Sequence, residues 1–465
     1  MANQVRPATV DSRRRQIAII SRQIRFLASK AKILSILCLI IGCDPVAQPT
    51  PTPYIASLKT LSAQSLRGRT YGSEIAVEQT TTSKPVNSYL ASYKSDGLRL
   101  YTRIDVPDAP QPQNGFPVVI FVHGWTGIER APTYDLYFRN HDDYGEMIDA
   151  YVTAGFVVFT PGWRGHSTVG DVPADGIEFM QAFDNGSYLS PVFYAIDILN
   201  LIDGLQSFEE AELDLTSINL SSHSQGGDVA LIVLTVAGED SALENEINAA
   251  SIWAGTFASR FTQVHTYQPM EKSPEAFMSG DGTWTGTAIG RDGSENSNFV
   301  FGYPSDWIET MDTSAWTWQK DNWSTPTVAQ SVADKFGEMY GAINKYVGDI
   351  NDAAFEMQLL DNGSFNVLHD PRVESAMAEI GGFDFEEYLM EPLLLQHSDR
   401  DFYTLSTWNA DLCARINSSG GTCFDYEYAE NTHALRVSSR QWFSSKDAVA
   451  GFHTALQRDI ALFRQ

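Results

Sequence analysis

The sequence is poor in cysteine and in long apolar runs, and each shortage excludes a class of protein. Only four cysteines occur in 465 residues, and none lies in a Cys/His pattern with zinc-ligand spacing. We therefore predict no metal and no other cofactor. The apolar run Ile33–Ile41 is far shorter than the roughly 18 residues of a spanning helix, which argues against a transmembrane segment there.

Basic residues are also few, and they are concentrated at the start of the chain. The protein has 32 Lys and Arg against 58 Asp and Glu, a net charge of −26. The first 43 residues hold eight basic residues and one acidic residue, so removing their net +7 leaves −33 for residues 44–465. This charge excludes a nucleic-acid partner and suits a protein kept soluble at high salt.

Residues 1–43 read as an export signal, because a basic segment precedes the short apolar run. The run ends in Ile40-Ile41-Gly42-Cys43, which resembles the lipobox of bacterial lipoproteins. The resemblance implies that Cys43 is lipidated and becomes the mature N-terminus, with the proline-rich residues 44–54 as a tether. We expect a membrane-anchored protein of the bacterial cell envelope. An ordinary cleaved signal with an incidental cysteine is the alternative.

The most informative segment is Ile218–Gly227, in which an apolar strand runs into a sharp turn with Ser224 at its apex. A turn that raises a nucleophilic serine above a sheet is strained and needs small residues two positions before and after it. Ser222 and Gly226 meet that need. The pattern predicts a nucleophile, whereas a simple tight connection is the alternative.

A serine nucleophile of this kind needs an acid and then a histidine further along the chain. His433 follows the alternating strand Cys423–Tyr428, so it is the predicted base, with an exposed loop histidine as the alternative. His453 lies in an amphipathic terminal helix, where a surface or packing role is expected. The acid is expected in the polar loop after the buried run Pro392–Leu395.

Attack on a carbonyl also requires donors for the oxyanion. Pro117–Val122 reads as a buried strand ending in His123-Gly124. We expect the amides of Trp125 and Gln225 to face each other across the substrate carbonyl, and His123 itself to be structural.

Taken in order, several segments resemble α/β-hydrolases of the prolyl-oligopeptidase and dienelactone-hydrolase group. They are Ser92–Leu100, Val122–Gly124, Gly162–Ser167 and the serine turn. The resemblance implies an α/β-hydrolase fold, with a mostly parallel central sheet flanked by helices. It covers most of residues 60–255 and 386–465. Ser222 and Ser398 stand where the group usually has glycine, and no tyrosine adjoins His123-Gly124 to supply a side-chain oxyanion donor.

The resemblance also selects between two candidate acids. Related hydrolases place the acid four residues beyond the histidine of a His-Gly-x-x-Asp pattern, and counting from His397 favours Asp401. Asp399 is then a turn former. Arg164 and Asp197 are assigned to bracing loops rather than to chemistry.

The stretch between the strands that contain Trp253 and Leu393 is far longer than one crossover needs. We predict a catalytic domain at residues 55–256 and 386–465 with an inserted lid at 257–385. Five of the ten tryptophans lie in the lid, at Trp284, Trp307, Trp316, Trp318 and Trp323. Trp316 and Trp318 are candidate substrate contacts; equally, such tryptophans give a loop-rich insertion its own core.

Cys413 and Cys423 are the two cysteines beyond the leader. In an oxidising compartment they could pair and hold the predicted acid and base in register, whereas two free thiols are the alternative.

The sequence therefore predicts a serine hydrolase with a Ser224, His433 and Asp401 triad. Its substrate is a small-molecule carboxylic ester or a peptide. Esters are favoured, because no β-propeller precedes the catalytic domain and the expected tyrosine is missing. A peptidase of prolyl-oligopeptidase type is the first alternative. A non-catalytic, membrane-tethered binding protein on a hydrolase scaffold is the second.

Overall fold

A sheet of nine strands organises the part of the chain that the computed structural model describes. That part comprises residues 55–83, 86–127, 131–133, 144–169, 172–183, 188–238, 240–243, 247–272, 326–360, 365–398, 404, 406–428, 433 and 446–465. The strands are β1 (Ala76–Ser83), β2 (Val86–Ser95), β3 (Leu98–Pro107), β4 (Phe116–Val122), β5 (Val157–Pro161), β6 (Leu213–His223), β7 (Ala249–Trp253), β8 (Glu356–Leu359), β9 (Phe365–Leu368), β10 (Leu393–Ser398) and β11 (Cys423–Tyr428).

The order of the strands in the large sheet is β1-β2-β3-β5-β4-β6-β7-β10-β11. Six neighbouring strands, β5-β4-β6-β7-β10-β11, are parallel to one another. Strands β1, β2 and β3 form an antiparallel extension at the β5 edge. Strands β8 and β9 pair in a separate hairpin. The carboxyl ends of the parallel strands share one edge, which is where this arrangement places ligands and catalytic groups.

The helices in the described residues are α1 (Ala63–Arg67), α2 (Gly145–Thr153), α3 (Ile177–Phe183), α4 (Ser190–Gly204), α5 (Gln225–Ala237), α6 (Arg260–Lys272), α7 (Pro326–Tyr346), α8 (Pro371–Ala378), α9 (Ser406–Ser419) and α10 (Lys446–Phe463). Short 3-10 turns occur at Leu58–Leu61, Ala131–Thr133, Leu205–Ser207 and Glu386–Tyr388. None of the helices in this part of the chain combines the length and apolar character needed to cross a membrane.

Both faces of the parallel strands are covered, which explains why their sequences are almost continuously apolar. Alternate side chains of β4 point to opposite faces. Val118 and Ile120 join a core cluster with α4 and α5, whereas Val119 and Phe121 join a second cluster with α2 and α10. This mostly parallel sheet between two helix layers is an α/β-hydrolase fold, and the predicted fold class is confirmed.

The insertion leaves the sheet after β7 and returns at β10, which are parallel neighbours with Ala250 aligned to Leu393. Its described elements are α6, α7, the β8–β9 hairpin and α8. Helix α7 buries Val332, Phe336 and Ile343 in the same core cluster as α4 and α5. The domain boundaries at 257 and 385 stay predictions.

Candidate active site

Ser224 occupies the sharp turn between β6 and α5, as its sequence context predicts. Its φ of 57° and ψ of −125° lie in a region of backbone conformation that residues other than glycine rarely adopt. Hydrogen bonds hold this conformation: the Ser224 amide donates to the Trp253 carbonyl, and its carbonyl accepts from the amides of Gly227 and Thr256. The surrounding backbone thus stabilises a strained serine at the carboxyl edge of the sheet.

Gly226 is required because the turn packs directly onto the end of β4. A Cβ atom at this position would lie 2.2 Å from the Val122 carbonyl oxygen and 2.3 Å from that of His123. No side chain fits at those distances. The glycine two residues after Ser224 therefore lets the nucleophile turn pack against the backbone at the end of β4. This close packing brings the loop after β4 beside the serine.

His433 lies against Ser224, although 209 residues separate them in the chain. Its Nε2 atom is 2.8 Å from the Ser224 hydroxyl oxygen, a normal hydrogen-bond distance. The structure therefore brings together the predicted nucleophile and the predicted base.

The predicted acid falls outside the described residues, as does its alternative. Strand β10 ends at Ser398, immediately before the segment that contains Asp399 and Asp401. His397, the histidine four residues before Asp401, is buried. Its Nε2 atom lies 2.9 Å from the carboxylate of Asp425 on β11.

The loop that follows β4 lies beside Ser224, where oxyanion donors are needed. A Cβ at Gly124 would be 3.1 Å from the Cβ of Ser224, so the backbone at this position touches the nucleophile turn. The next residue is Trp125, whose side chain is 61% exposed. Gln225 is the first residue of α5, where amide groups have no partner within the helix.

His123 has the surroundings of a structural residue. Its ring is buried and stacks on Trp163 with centroids 3.7 Å apart. Burial lowers the pKa of His123 well below its ordinary value, and the nearby His166 adds to that effect. A neutral, stacked ring fits the packing role expected from the sequence.

Tyr144 is a residue of the site that the sequence did not reveal. It immediately precedes α2, and its hydroxyl accepts a hydrogen bond of 2.9 Å from the Gly124 amide. The same hydroxyl lies 3.0 Å from Nδ1 of His223, the residue before Ser224. Tyr144 is 20 residues from Gly124 and belongs to no motif, so no local pattern indicated the contact.

Arg164 and Asp197 form a buried ion pair with each other. The guanidinium donates to both carboxylate oxygens, with a shortest distance of 2.6 Å, and the Arg164 amide also donates to the carboxylate. The fork-shaped contact ties the turn after β5 to helix α4, away from the reacting atoms.

A disulfide joins Cys413 to Cys423. It connects α9 to the first residue of β11, the strand that precedes the loop carrying His433. The bond therefore ties the helix that follows the candidate acids to the strand that precedes His433.

The described part of the insertion has an aromatic interior. Phe261 stacks on His369 with centroids 3.8 Å apart, and Phe336 packs edge-on against the same ring. Burial lowers the pKa of His265 and of His369 to about 4, so both rings are neutral at pH 7.

Trp316 and Trp318 lie outside the described residues, as do the leader, Cys43 and the tether. No group of metal-ligating side chains occurs in the described residues.

No protein-family model and no curated protein matches the sequence. Solved structures with a similar backbone include Est1E from Butyrivibrio proteoclasticus with bound ferulic acid, at 14% identity and a TM-score of 0.40 over 80% of this chain and 99% of that one. Acetyl xylan esterase 1 from Thermoanaerobacterium sp. has 12% identity and a TM-score of 0.44, over 89% and 96% of the two chains. The acylaminoacyl peptidase of Pyrococcus horikoshii has 13% identity and a TM-score of 0.41, over 83% of this chain and 49% of that one. Such distant likenesses assign no activity.

Proposed function

We propose that this protein is a serine hydrolase that cleaves carboxylic esters. The observation that carries the proposal is the 2.8 Å contact between His433 Nε2 and the hydroxyl of Ser224 on a strained turn. His433 takes the hydroxyl proton as Ser224 attacks the carbonyl carbon, and then gives it to the departing alkoxide. Water, activated by the same imidazole, cleaves the resulting acyl-enzyme and releases the acid.

The remaining roles follow from the neighbouring backbone and from the sequence pattern. The amides of Trp125 and Gln225 stabilise the oxyanion, because both residues adjoin the nucleophile turn. Asp401 orients the imidazole and Asp399 is its competitor. Asp401→Asn then reduces turnover far more than Asp399→Asn, and the reverse ranking assigns the acid to Asp399.

Esters are favoured over peptide bonds because the Tyr144 hydroxyl already has hydrogen-bond partners within the protein. This hydroxyl contacts both the Gly124 amide and His223, so the oxyanion relies on backbone amides in our assignment. Esters demand less of such a site, since an alkoxide is a better leaving group than an amine anion. Peptidase activity is the second candidate, and turnover of peptidyl amides at a rate matching that of esters would favour it.

Labelling with a fluorophosphonate probe tests the mechanism and separates an enzyme from a binding protein. Wild-type protein is expected to react, and Ser224→Ala is expected to lose both labelling and ester turnover. Ser222→Ala is the matched control, because it removes a hydroxyl two residues away that has no hydrogen-bond partner among the described residues, and it should still react. Equal labelling of Ser224→Ala and wild type contradicts the proposal.

We also propose that the insertion at 257–385 selects the substrate, since all of the assigned catalytic groups lie outside it. Replacing Trp316 and Trp318 by alanine then lowers kcat/KM for bulky esters by about 1 to 3 kcal/mol in transition-state terms, and much less for an acetyl ester. Equal losses on both, with a lower Tm, would assign the two tryptophans to the core of the insertion.

A further inference from the structure

Three hydrogen bonds connect the loop after β4 to the backbone of His433 through two buried side chains. The Gly124 amide donates to the Tyr144 hydroxyl at 2.9 Å. That hydroxyl lies 3.0 Å from His223 Nδ1. Nε2 of the same imidazole lies 2.9 Å from the carbonyl oxygen of His433. Both Tyr144 and His223 are less than 7% exposed, so water competes little for these bonds.

The chemistry of the partners fixes the direction of each bond. A carbonyl oxygen only accepts, so Nε2 of His223 carries the hydrogen. In the neutral ring Nδ1 then bears a lone pair and accepts the proton of the Tyr144 hydroxyl. The hydroxyl oxygen in turn accepts from the Gly124 amide. The contacts therefore select one tautomer of His223 and one orientation of the tyrosine hydroxyl.

His433 needs such an anchor because its ring must stay on Ser224. The imidazoles of His223 and His433 are 5.0 Å apart between centroids, and His223 directly precedes the nucleophile. One side chain thus ties the carbonyl of the base to the strand that carries the serine. A displacement of about 1 Å at such a contact can cost on the order of 100-fold in rate.

We propose that His223 is a positioning residue, held by Tyr144, that fixes the backbone of His433 relative to Ser224. The proposal rests on the serine-hydrolase function proposed above. Because both side chains are buried, we expect the effect of their replacement in kcat rather than in KM.

The test compares His223→Leu, His223→Gln and Tyr144→Phe by steady-state kinetics on a 4-nitrophenyl acetate substrate. His223→Leu is expected to lower kcat by about 10- to 100-fold with KM changed by less than about threefold. A glutamine amide can donate from nearly the same place as Nε2, so His223→Gln should recover most of that loss. Tyr144→Phe removes only a hydroxyl and is expected to lower kcat by about 3- to 10-fold.

Tyr151→Phe is the matched control, because it removes another buried tyrosine hydroxyl from the same region, one bonded to Ser221 and Asp459. It should keep wild-type kcat. The positioning role is overturned if His223→Leu keeps the wild-type kcat, or if the kcat of His223→Gln is no higher than that of His223→Leu. An equal fall of kcat in Tyr144→Phe and Tyr151→Phe also overturns it. Turnover that survives in Ser224→Ala instead refutes the proposed function, which keeps the two failures distinct.

Discussion

At the scale of single residues, Ser222 marks where this chain departs from the usual glycine before the nucleophile. It lies in β6 between Val122 and Ile252 of the neighbouring strands. The residue is buried, and its hydroxyl has no hydrogen-bond partner in the part of the chain that the structure describes. Leaving a buried hydroxyl unpaired costs about 1 to 3 kcal/mol, so this position carries a local loss of stability next to the strained serine.

Replacing Ser222 by alanine should therefore stabilise the protein by about 1 kcal/mol, because it removes the hydroxyl and keeps the Cβ atom. Reversible urea unfolding measures the change. Ser251→Ala provides the comparison, since that buried serine accepts a 3.0 Å hydrogen bond from Gln396 and its loss should destabilise. A loss of stability in Ser222→Ala contradicts the prediction.

At the scale of elements, α10 is fixed to the sheet by the carboxyl group of Asp459. The Tyr151 hydroxyl of α2 donates to it at 2.6 Å and the Trp253 indole of β7 at 2.7 Å, while Gln396 of β10 donates to its other oxygen. Burial raises the pKa of Asp459 to about 7, although these hydrogen bonds act in the opposite direction. The C-terminal helix is thus joined to three elements beneath the active-site edge.

The raised pKa predicts how stability depends on pH. The folded protein holds the Asp459 proton up to about pH 7, whereas the unfolded chain releases it near its ordinary value of 3.8. The stabilising contribution is therefore complete below about pH 4 and is lost as pH rises to about 7, a change of at most roughly 4 kcal/mol. Asp459→Asn should flatten the measured free energy of unfolding across that window.

The exposed Asp352 supplies the control for this measurement. Its side chain is 72% exposed beside Arg372, so Asp352→Asn should keep nearly the wild-type pH dependence. The same slope in Asp459→Asn and wild type would show that Asp459 titrates at its ordinary value in the folded protein.

Elements were predictable where apolar residues recur with the period of a strand or of a helix. The predicted strand Cys423–Tyr428 has the same ends in the structure, and His453 lies in the terminal helix α10, as its sequence context predicts. The contacts of Tyr144 and Asp459 were not predictable, because each joins residues from distant segments and no local pattern encodes such a meeting.

The site was predictable where chain order restricts the choice. His433 was selected because only two histidines, His433 and His453, follow the candidate acids in the chain, and the structure places His433 on Ser224. The role of His223 was missed because its sequence context shows only that it precedes the serine. Its function depends on where two distant loops meet.

At the scale of the whole molecule, the leader and the charge of the chain predict where the protein is located. We propose that the protein is anchored through Cys43 at the bacterial envelope, with the acidic remainder in the surrounding solution. Expressed with its leader, it should partition with membranes and incorporate labelled palmitate. Cys43→Ser should lose the label, whereas Cys38→Ser, which lies before the lipobox, should retain it. Palmitate labelling that persists in Cys43→Ser contradicts the anchor.

In the proposed mechanism, Ser224 carries the acyl group during turnover. Mass spectrometry of the protein, acid-quenched during reaction with a slowly deacylated ester, detects this intermediate. We predict an added acyl mass on the peptide that contains Ser224, absent in Ser224→Ala and strongly reduced in His433→Ala. An acyl group on another residue, or ester turnover that continues without Ser224, would contradict it.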